Sequence, residues 1–125
     1  MTFETGKNRK SSQIWELFLN FVAAIVFMKL LKYKLLKDFW KKHSDAEAPL
    51  NRWAEFVESN DWKNHADLKE AFPSADYVGN NRYVFNISGN KYRLITVVVF
   101  FDGIMQIRFV GTHAEYSKIK DIKTI

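Results

Sequence analysis

The sequence predicts an α+β domain in which amino-terminal helices pack on one face of a small antiparallel sheet. Three runs between residues 82 and 113 are rich in β-branched and aromatic residues, and turn residues separate them. Upstream of these runs, two segments carry apolar residues at helical spacing. A chain of 125 residues has room for one modest core. We therefore expect these elements to form one domain.

The three β-rich runs predict a meander of strands at about 82–87, 91–101 and 104–113. Asp102-Gly103 between the last two is typical of a two-residue type I′ hairpin, because glycine tolerates positive φ. Counting back from that turn places Arg93 opposite Thr112, next to His113. The start of the middle strand and the end of the last strand therefore meet at one edge of the sheet.

The segment upstream of the strands predicts three helices, at about 32–43, 49–59 and 64–72. The lysines of the first helix are typical of a solvated face, although they could also follow a nucleic-acid backbone. Gly79-Asn80 predicts a turn within a loop at 76–81. Residues 97–101 are apolar on both faces, so we expect both faces of the middle strand to be covered there. A last helical turn is expected at 114–119.

Residues 1–27 differ in composition from residues 28–125, which form the expected domain. A basic start precedes an apolar run at 17–28, which imitates a signal peptide. However, Glu16 borders this run, no small-residue cleavage site follows, and the run is shorter than the roughly 20 residues of a membrane span. We expect 1–27 to be a mis-assigned start or a dispensable extension. A packing helix and a membrane-surface helix remain the alternatives.

Composition narrows the class of function. The net charge of +5 and the pI of about 9.4 favour an anionic partner, nucleic acid first. The absence of cysteine excludes thiolate chemistry and suits a reducing cytoplasm. Three histidines without a close pair at ligand spacing argue against a metal site, and no Gly-x-Ser-x-Gly elbow appears. The remaining chemistry is a basic cleft that binds phosphate and transfers protons, without a cofactor.

The predicted sheet edge supplies candidate residues for that chemistry. The planar guanidinium of Arg93 suits phosphate, because it forms paired hydrogen bonds. His113 suits proton transfer, because the ordinary pKa of histidine lies near neutral pH. Lys91 lies beside them. These residues also have plainer interpretations. Arg93 and Lys91 could be solvated residues beside a turn, and His113 could be a strand-end residue that is hydrogen-bonded to a backbone group.

Three further residues are candidates for contact with a nucleic acid. Arg108 shares strand parity with Arg93, which favours the cleft, although it could pair with a helix carboxylate instead. Arg82 begins its strand and could equally be a surface charge. Tyr116 could stack on a base or pack on the sheet.

Four ordered segments resemble the HigB toxins of bacterial type II toxin–antitoxin systems. They read Ala-Phe-Pro-Ser-Ala-Asp from 71, Asn-Arg-Tyr-Val-Phe-Asn-Ile from 81, Gly-Asn-Lys-Tyr-Arg-Leu from 89 and Arg-Phe-Val-Gly-Thr-His-Ala-Glu-Tyr from 108. The resemblance extends from residue 28 to about 119 and, more distantly, to the RelE-like ribonuclease toxins. RelE relatives usually carry arginine at the place of His113, so this departure permits proton transfer. Their strand lysines fall here on Val84 and Asn86, which argues against a lysine base.

This resemblance implies a RelE-like fold with a short first strand at 28–31. It also implies an mRNA interferase, an endoribonuclease in which the ribose 2′-hydroxyl attacks the adjacent phosphate. Arg93 and Lys91 would hold the phosphate, His113 would act as general acid or base, and Arg108 would support the RNA backbone. The competing class is a non-catalytic RNA- or ribosome-binding module, and a third is a membrane-tethered protein.

The implied partners are mRNA, the ribosome and a HigA-type antitoxin, with no stable membrane association. The antitoxin could occlude the RNA-binding edge or bind the remote helical face. The region of Trp53, Phe56 and Trp62 favours the helical face, because aromatic residues supply anchors there. Glu55 and Glu58 weaken RNA affinity in the same region.

Overall fold

The structure is a computed structural model that describes residues 13–19 and 27–125. Residues 13–19 are helical and exposed. The elements that follow are β1 (Lys29–Leu31), α1 (Lys34–Lys42), a 3₁₀ helix (Ser44–Ala46), α2 (Glu47–Glu58), α3 (His65–Ala71), β2 (Asp76–Gly79), β3 (Arg82–Ile87), β4 (Tyr92–Val99), β5 (Ile104–Thr112) and α4 (His113–Ser117). The three predicted helices and the predicted meander are therefore present, with ends that shift by up to two residues.

The strands form one five-stranded sheet in the order β1-β5-β4-β3-β2. Three neighbouring pairs are antiparallel, but β1 pairs in parallel with β5. The α+β class is confirmed. The predicted antiparallel pairing is confirmed for β2 to β5, and the parallel β1 corrects the prediction to a mixed sheet. Parallel neighbours need a long connection, and the helices and strands between β1 and β5 supply it.

The three larger helices cover one face of the sheet. Their buried side chains and those of the strands form one cluster that includes Leu36, Leu50, Trp53, Leu68, Phe85, Leu94, Met105 and Ile107. Each large apolar side chain buried in this way contributes about 1.5–3 kcal/mol. On the opposite face, Val84 and Ile95 lie directly across from each other and are fully buried. Their burial shows that both faces of the sheet are covered at this point. Helix α4 contacts β4 and β5.

The hairpin between β4 and β5 differs from the predicted two-residue turn. Val99 pairs with Ile104, which leaves four residues in the loop. A type I′ turn needs two consecutive residues with positive φ, and in this loop only Gly103 has one, at 64°. Phe101 is consequently outside the strand and 98% exposed. The expectation that 97–101 is covered on both faces is wrong at this end.

The predicted loop at 76–81 contains an additional strand, β2, at the edge of the sheet. Its side chains are exposed or partly buried, so its sequence lacks the apolar alternation of a core strand. The turn that follows agrees with the Gly79-Asn80 signal, because Asn80 and Asn81 have φ values of 51° and 63°. A short edge strand with polar residues is difficult to recognise without its neighbour.

The expectations for residues 1–27 lie mostly outside the described residues and stay predictions. No helix of the described segments is long and apolar enough to cross a membrane.

We expect a protein that starts at Met28 to be soluble and folded, with a thermal midpoint close to that of the full chain. Met28 is buried, and its backbone N donates to the Asn60 carbonyl at 2.8 Å. Removing residues 1–27 takes away three cations and two carboxylates, which changes the net charge only from +5 to +4. Circular dichroism with thermal melting checks this. An unfolded truncated protein would show that the removed segment belongs to the core.

Candidate functional site

One end of the sheet collects Lys91, Arg93, His113 and Tyr116, which we call the basic edge. The His113 backbone N donates to the Lys91 carbonyl at 3.2 Å. Arg93 pairs with Gly111, two residues before His113. The predicted meeting of these segments is confirmed, although the register differs by one residue from the predicted Arg93–Thr112 pair.

The one-residue difference has a cause in β5. Thr96 pairs with Ile107 and Ile95 with Phe109, so Arg108 is an extra residue in a β-bulge. The longer hairpin loop shifts the pairing of β4 with β5 relative to the predicted register, and the bulge reverses part of this shift. It also resets the alternation of side chains, so the parity argument that placed Arg108 with Arg93 is wrong.

His113 is positioned by a helix cap. The Thr112 hydroxyl accepts from the Glu115 backbone N at 3.1 Å, and a Glu115 carboxylate oxygen accepts from the Thr112 backbone N at 2.8 Å. This capping box ends β5 and makes His113 the first residue of α4. The His113 side chain is exposed, and its Nδ1 lies 3.4 Å from the Ser117 hydroxyl. A solvent-facing imidazole on a fixed backbone is suited to proton exchange with a ligand.

Gly111 allows the chain to approach itself closely at the basic edge. A Cβ at this position would lie 2.5 Å from Cζ of Phe109 and 3.0 Å from Oε1 of Glu115. Any larger residue would therefore displace the Phe109 ring or the carboxylate that caps α4.

We expect Gly111→Ala to lower the free energy of unfolding by about 1–3 kcal/mol, because overpacking forces side chains from their preferred positions. Urea denaturation measures the change. A Phe109→Leu substitution in the same chain removes the clashing ring carbons, so the double variant should recover part of the loss. Wild-type stability of the single variant would contradict the close approach.

Arg93 is a partly buried cation that pairs with no carboxylate of residues 13–19 and 27–125. Its guanidinium carbon lies 5.0 Å from the centre of the Tyr116 ring. One Nη donates to the Asn90 side-chain oxygen across a long 3.4 Å. Among the described residues, its buried Nε has no hydrogen-bond partner, as is also the case for Nε of Arg82. None of the ion pairs in that part of the chain includes Arg93. A buried donor without a partner requires an explanation, and an anionic ligand would supply one.

Lys91 forms an ion pair with Asp45 of the 3₁₀ helix. The Tyr92 hydroxyl donates to the other carboxylate oxygen at 2.5 Å. The hydrogen bond from Lys91, followed by that from Tyr92, holds the pKa of Asp45 below its ordinary value. The same pairing with Asp45 raises the pKa of Lys91. Both groups are therefore charged at neutral pH, and Lys91 has a counter-charge before any ligand binds.

A concavity adjoins the basic edge on the side of β5. Strand β1 pairs with residues 104–106 of β5, and no other strand of the described residues pairs with β5 on that side. This opening, which we call the β5 cleft, has a volume of about 380 Å³ and is lined by Leu35, Asp38, Phe39, Lys42, His43, Arg108, Phe109, Val110 and Glu115. The pKa of Glu115 is lowered mainly by the backbone hydrogen bond from Thr112, with a smaller Coulombic contribution from His43.

The remaining two candidates lie apart from the basic edge. Arg108 is exposed, lines the β5 cleft and donates to the Gln106 side chain at 2.9 Å. Arg82 pairs with Val97, four residues along β4 from Arg93, which corresponds to about 13 Å. Its guanidinium donates to the carbonyls of Asn80 and Ile125. The structure thus places Arg82 in contact with the tail of the chain.

A larger cleft of about 450 Å³ lies at the opposite end of the sheet. Its walls include Tyr77 and Phe100, and His65 Nδ1 lies 2.6 Å from the Tyr83 hydroxyl. Its one lysine, Lys63, is paired with an aspartate at 3.0 Å. The phosphate-binding chemistry therefore fits the basic edge better. Within residues 13–19 and 27–125, no group of three histidine or carboxylate residues could hold a metal.

Two residues of the site were missed by sequence reasoning. Asp45 is 46 positions from Lys91, so nothing local indicates their contact. Glu115 had a signal, because Thr112-x-x-Glu115 is the pattern of a capping box. Recognising that pattern would have placed His113 at the start of a helix.

The fold and the basic edge define a small α+β protein with cations and histidine at one sheet end. The family described as "HigB_toxin, RelE-like toxic component of a toxin-antitoxin system" matches residues 46–119. The chain belongs to this family, which confirms the resemblance seen in the sequence.

Curated relatives agree. The chain is 35% identical over 92 residues to the mRNA interferase toxin HigB of Escherichia coli K12, covering 71% of this chain and 88% of the relative. The mRNA interferase HigB of Shigella flexneri gives the same values. The mRNA interferase HigB of Escherichia coli O6:H1 is 25% identical over 81 residues, covering 63% and 79% of the two chains.

Proposed function

We propose that this protein is the toxin component of a toxin–antitoxin pair and acts as an mRNA-cleaving endoribonuclease in the cytoplasm. Family membership and the names of the relatives support the activity. The observation that carries it to particular residues is the state of Arg93, a partly buried cation beside an exposed imidazole. In the described part of the chain no carboxylate pairs with it and its Nε has no partner. A phosphodiester of RNA would supply an anionic partner for this guanidinium.

The proposed reaction is attack of the ribose 2′-oxygen on the adjacent phosphorus. The P–O5′ bond breaks, which leaves a 2′,3′-cyclic phosphate and a free 5′-hydroxyl. Arg93 offsets the negative charge that develops on the phosphate oxygens, and Tyr116 holds the guanidinium in place. His113 transfers a proton. Lys91 binds RNA by exchanging Asp45 for a phosphate, and Arg108 contacts the RNA backbone from the β5 cleft. Arg82 is left out of this site.

The proposed partners are the translating ribosome and an antitoxin of the HigA type. Trp53 and Trp62 are each only 6% exposed, so neither can anchor an antitoxin on the helical face. Phe56 is 41% exposed and packs against Trp62 and Phe72. Occlusion of the basic edge is therefore the simpler mode of inhibition. An acidic antitoxin segment would compete there for Arg93 and Lys91.

The test is induced expression followed by mapping of RNA 5′ ends, together with purified protein on mRNA alone and on mRNA in translating ribosomes. We expect growth arrest and new 5′-hydroxyl ends. Co-expression of the neighbouring open reading frame should suppress both effects, and the protein that it encodes should co-purify with this chain. Binding to RNA or ribosomes without new ends would instead favour the non-catalytic binding module. Cleavage of free mRNA would show that the ribosome is dispensable.

A further inference from the structure

Cleavage by the 2′-hydroxyl requires two proton transfers. The 2′-oxygen loses a proton as it attacks phosphorus, and the departing 5′-oxygen gains one. At the basic edge, His113 is the one imidazole for both transfers. We propose that His43, in the β5 cleft, is the general base of this reaction and that His113 is its general acid. This inference rests on the ribonuclease function proposed above.

The His43 ring is held in a fixed orientation. It stacks on Phe39 with ring centres 4.3 Å apart and an angle of 21° between planes. It also meets the Tyr92 ring at 5.7 Å and 64°. Its backbone N donates to the Phe39 carbonyl at 3.1 Å, at the end of α1. Neither ring nitrogen has a hydrogen-bond partner within the described residues, so an oriented imidazole keeps both nitrogens available. A base held in this way needs little reorganisation when substrate arrives.

His43 and His113 lie next to the two members of one cross-strand pair. Tyr92 lies opposite Thr112 in the sheet. His43 packs against Tyr92, and His113 directly follows Thr112. Opposed residues of an antiparallel pair lie about 5 Å apart. The two imidazoles therefore flank the same rung of the sheet, one on the side of the helices and one at the start of α4.

Charged groups of both signs surround the His43 ring. Titratable or charged groups from each neighbouring element are Asp38 and Lys42 of α1, Asp45 of the 3₁₀ helix, Lys91 and Tyr92 of β4, Arg108 of β5 and Glu115 of α4. Glu115 remains ionised because the Thr112 backbone donates to it. Its carboxylate lines the same cleft as the His43 ring. Arg108 and Lys42 supply cations for the flanking phosphates.

The proposed step is balanced. The 2′-O–H bond breaks and its proton moves to a ring nitrogen of His43, while the 2′-O–P bond forms. The P–O5′ bond breaks, and the proton of the His113 imidazolium moves to the 5′-oxygen. Water later exchanges the two protons. No redox partner or metal takes part in this scheme.

A variant that preserves stacking separates chemistry from packing. His43→Phe keeps an aromatic ring against Phe39 and Tyr92 but cannot accept a proton. We expect it to melt like the wild type and to cleave mRNA in translating ribosomes about 10²–10⁴-fold more slowly. One limb of the pH–rate profile should disappear with it. His65→Gln, at the far end of the sheet, is the matched histidine control, and it should cleave at the wild-type rate.

A modified substrate distinguishes the base from the acid. An mRNA with sulfur in place of the 5′-oxygen at the mapped cleavage site has a leaving group that needs no proton. This substrate should restore cleavage by His113→Ala and leave His43→Phe slow. Rescue of both variants, or of neither, would overturn the assignment of roles.

The possible outcomes distinguish the role of His43 from the ribonuclease function on which it rests. If the wild-type protein never cleaves RNA, the ribonuclease proposal fails. If it cleaves and folded His43→Phe keeps the wild-type rate and pH profile, the assignment of His43 alone is wrong. Should the phenylalanine variant lose stability, His43→Gln takes its place and is judged by the same pH profile and sulfur substrate.

Discussion

His113→Ala is expected to lower the rate of RNA cleavage by about 10²–10⁴-fold, the usual range for removal of a general acid or base. RNA affinity should change little, because an exposed imidazole contributes little to binding. The fold should persist, since Thr112 and Glu115 cap α4 without the His113 side chain. Induced cells should resume growth. Single-turnover cleavage with mapped RNA ends measures the rate, and filter binding measures the affinity.

Ser117→Ala is the matched control for this substitution. The Ser117 hydroxyl lies 3.4 Å from Nδ1 of His113 and 2.9 Å from the His113 carbonyl. Its loss should perturb only the orientation of the ring and leave most of the cleavage rate. A folded His113→Ala protein that cleaves at the wild-type rate would remove His113 from the mechanism.

Arg93→Ala is expected to reduce cleavage by about 10²–10³-fold, the range for loss of one donor to a developing negative charge. RNA affinity should fall as well, because Arg93 holds the phosphate before and during the reaction. The lost contact with the Tyr116 ring is worth about 0.5–1 kcal/mol at a site of this exposure, so the domain should remain folded. Rates with matched binding measurements separate the two effects.

Two arginine-based controls sharpen that result. Arg93→Lys keeps the charge but loses the planar, paired hydrogen bonds of the guanidinium, and it should fall between wild type and alanine. Arg52→Ala removes an exposed arginine on α2, far in sequence from the basic edge, and it should cleave normally. Equal loss in Arg52→Ala and Arg93→Ala would indicate a general effect of net charge rather than a site.

Local sequence signals predicted the framework of the site. Apolar spacing identified the helices, and the β-rich runs identified three of the strands, because each pattern is repeated within one element. The convergence of Lys91 and His113 followed from a single hairpin. Its register was displaced because Asp102 does not take the positive φ that a two-residue turn requires.

The features that escaped prediction depend on contacts between distant segments. The pairing of β1 with β5 joins segments more than 70 residues apart, with no local signature in a three-residue strand. The edge contact of His43 with Tyr92 likewise depends on how α1 docks against the sheet. The bulge at Arg108 reversed side-chain alternation within β5, and alternation is the quantity from which a sequence assigns faces.

The Asp45–Lys91 pair also bears on how RNA binding responds to salt. A lysine in open solution is surrounded by diffuse anions, and RNA carries condensed cations that return to bulk water when a phosphate meets a protein cation. Lys91 instead carries an internal counter-ion, Asp45, which stays attached to the chain when RNA displaces it. The freed aspartate can then retain a dissolved cation beside the bound RNA. Complex formation would therefore release fewer ions than the number of basic residues at this end of the sheet implies. The affinity of the toxin for RNA would depend less steeply on the ionic strength of the cell.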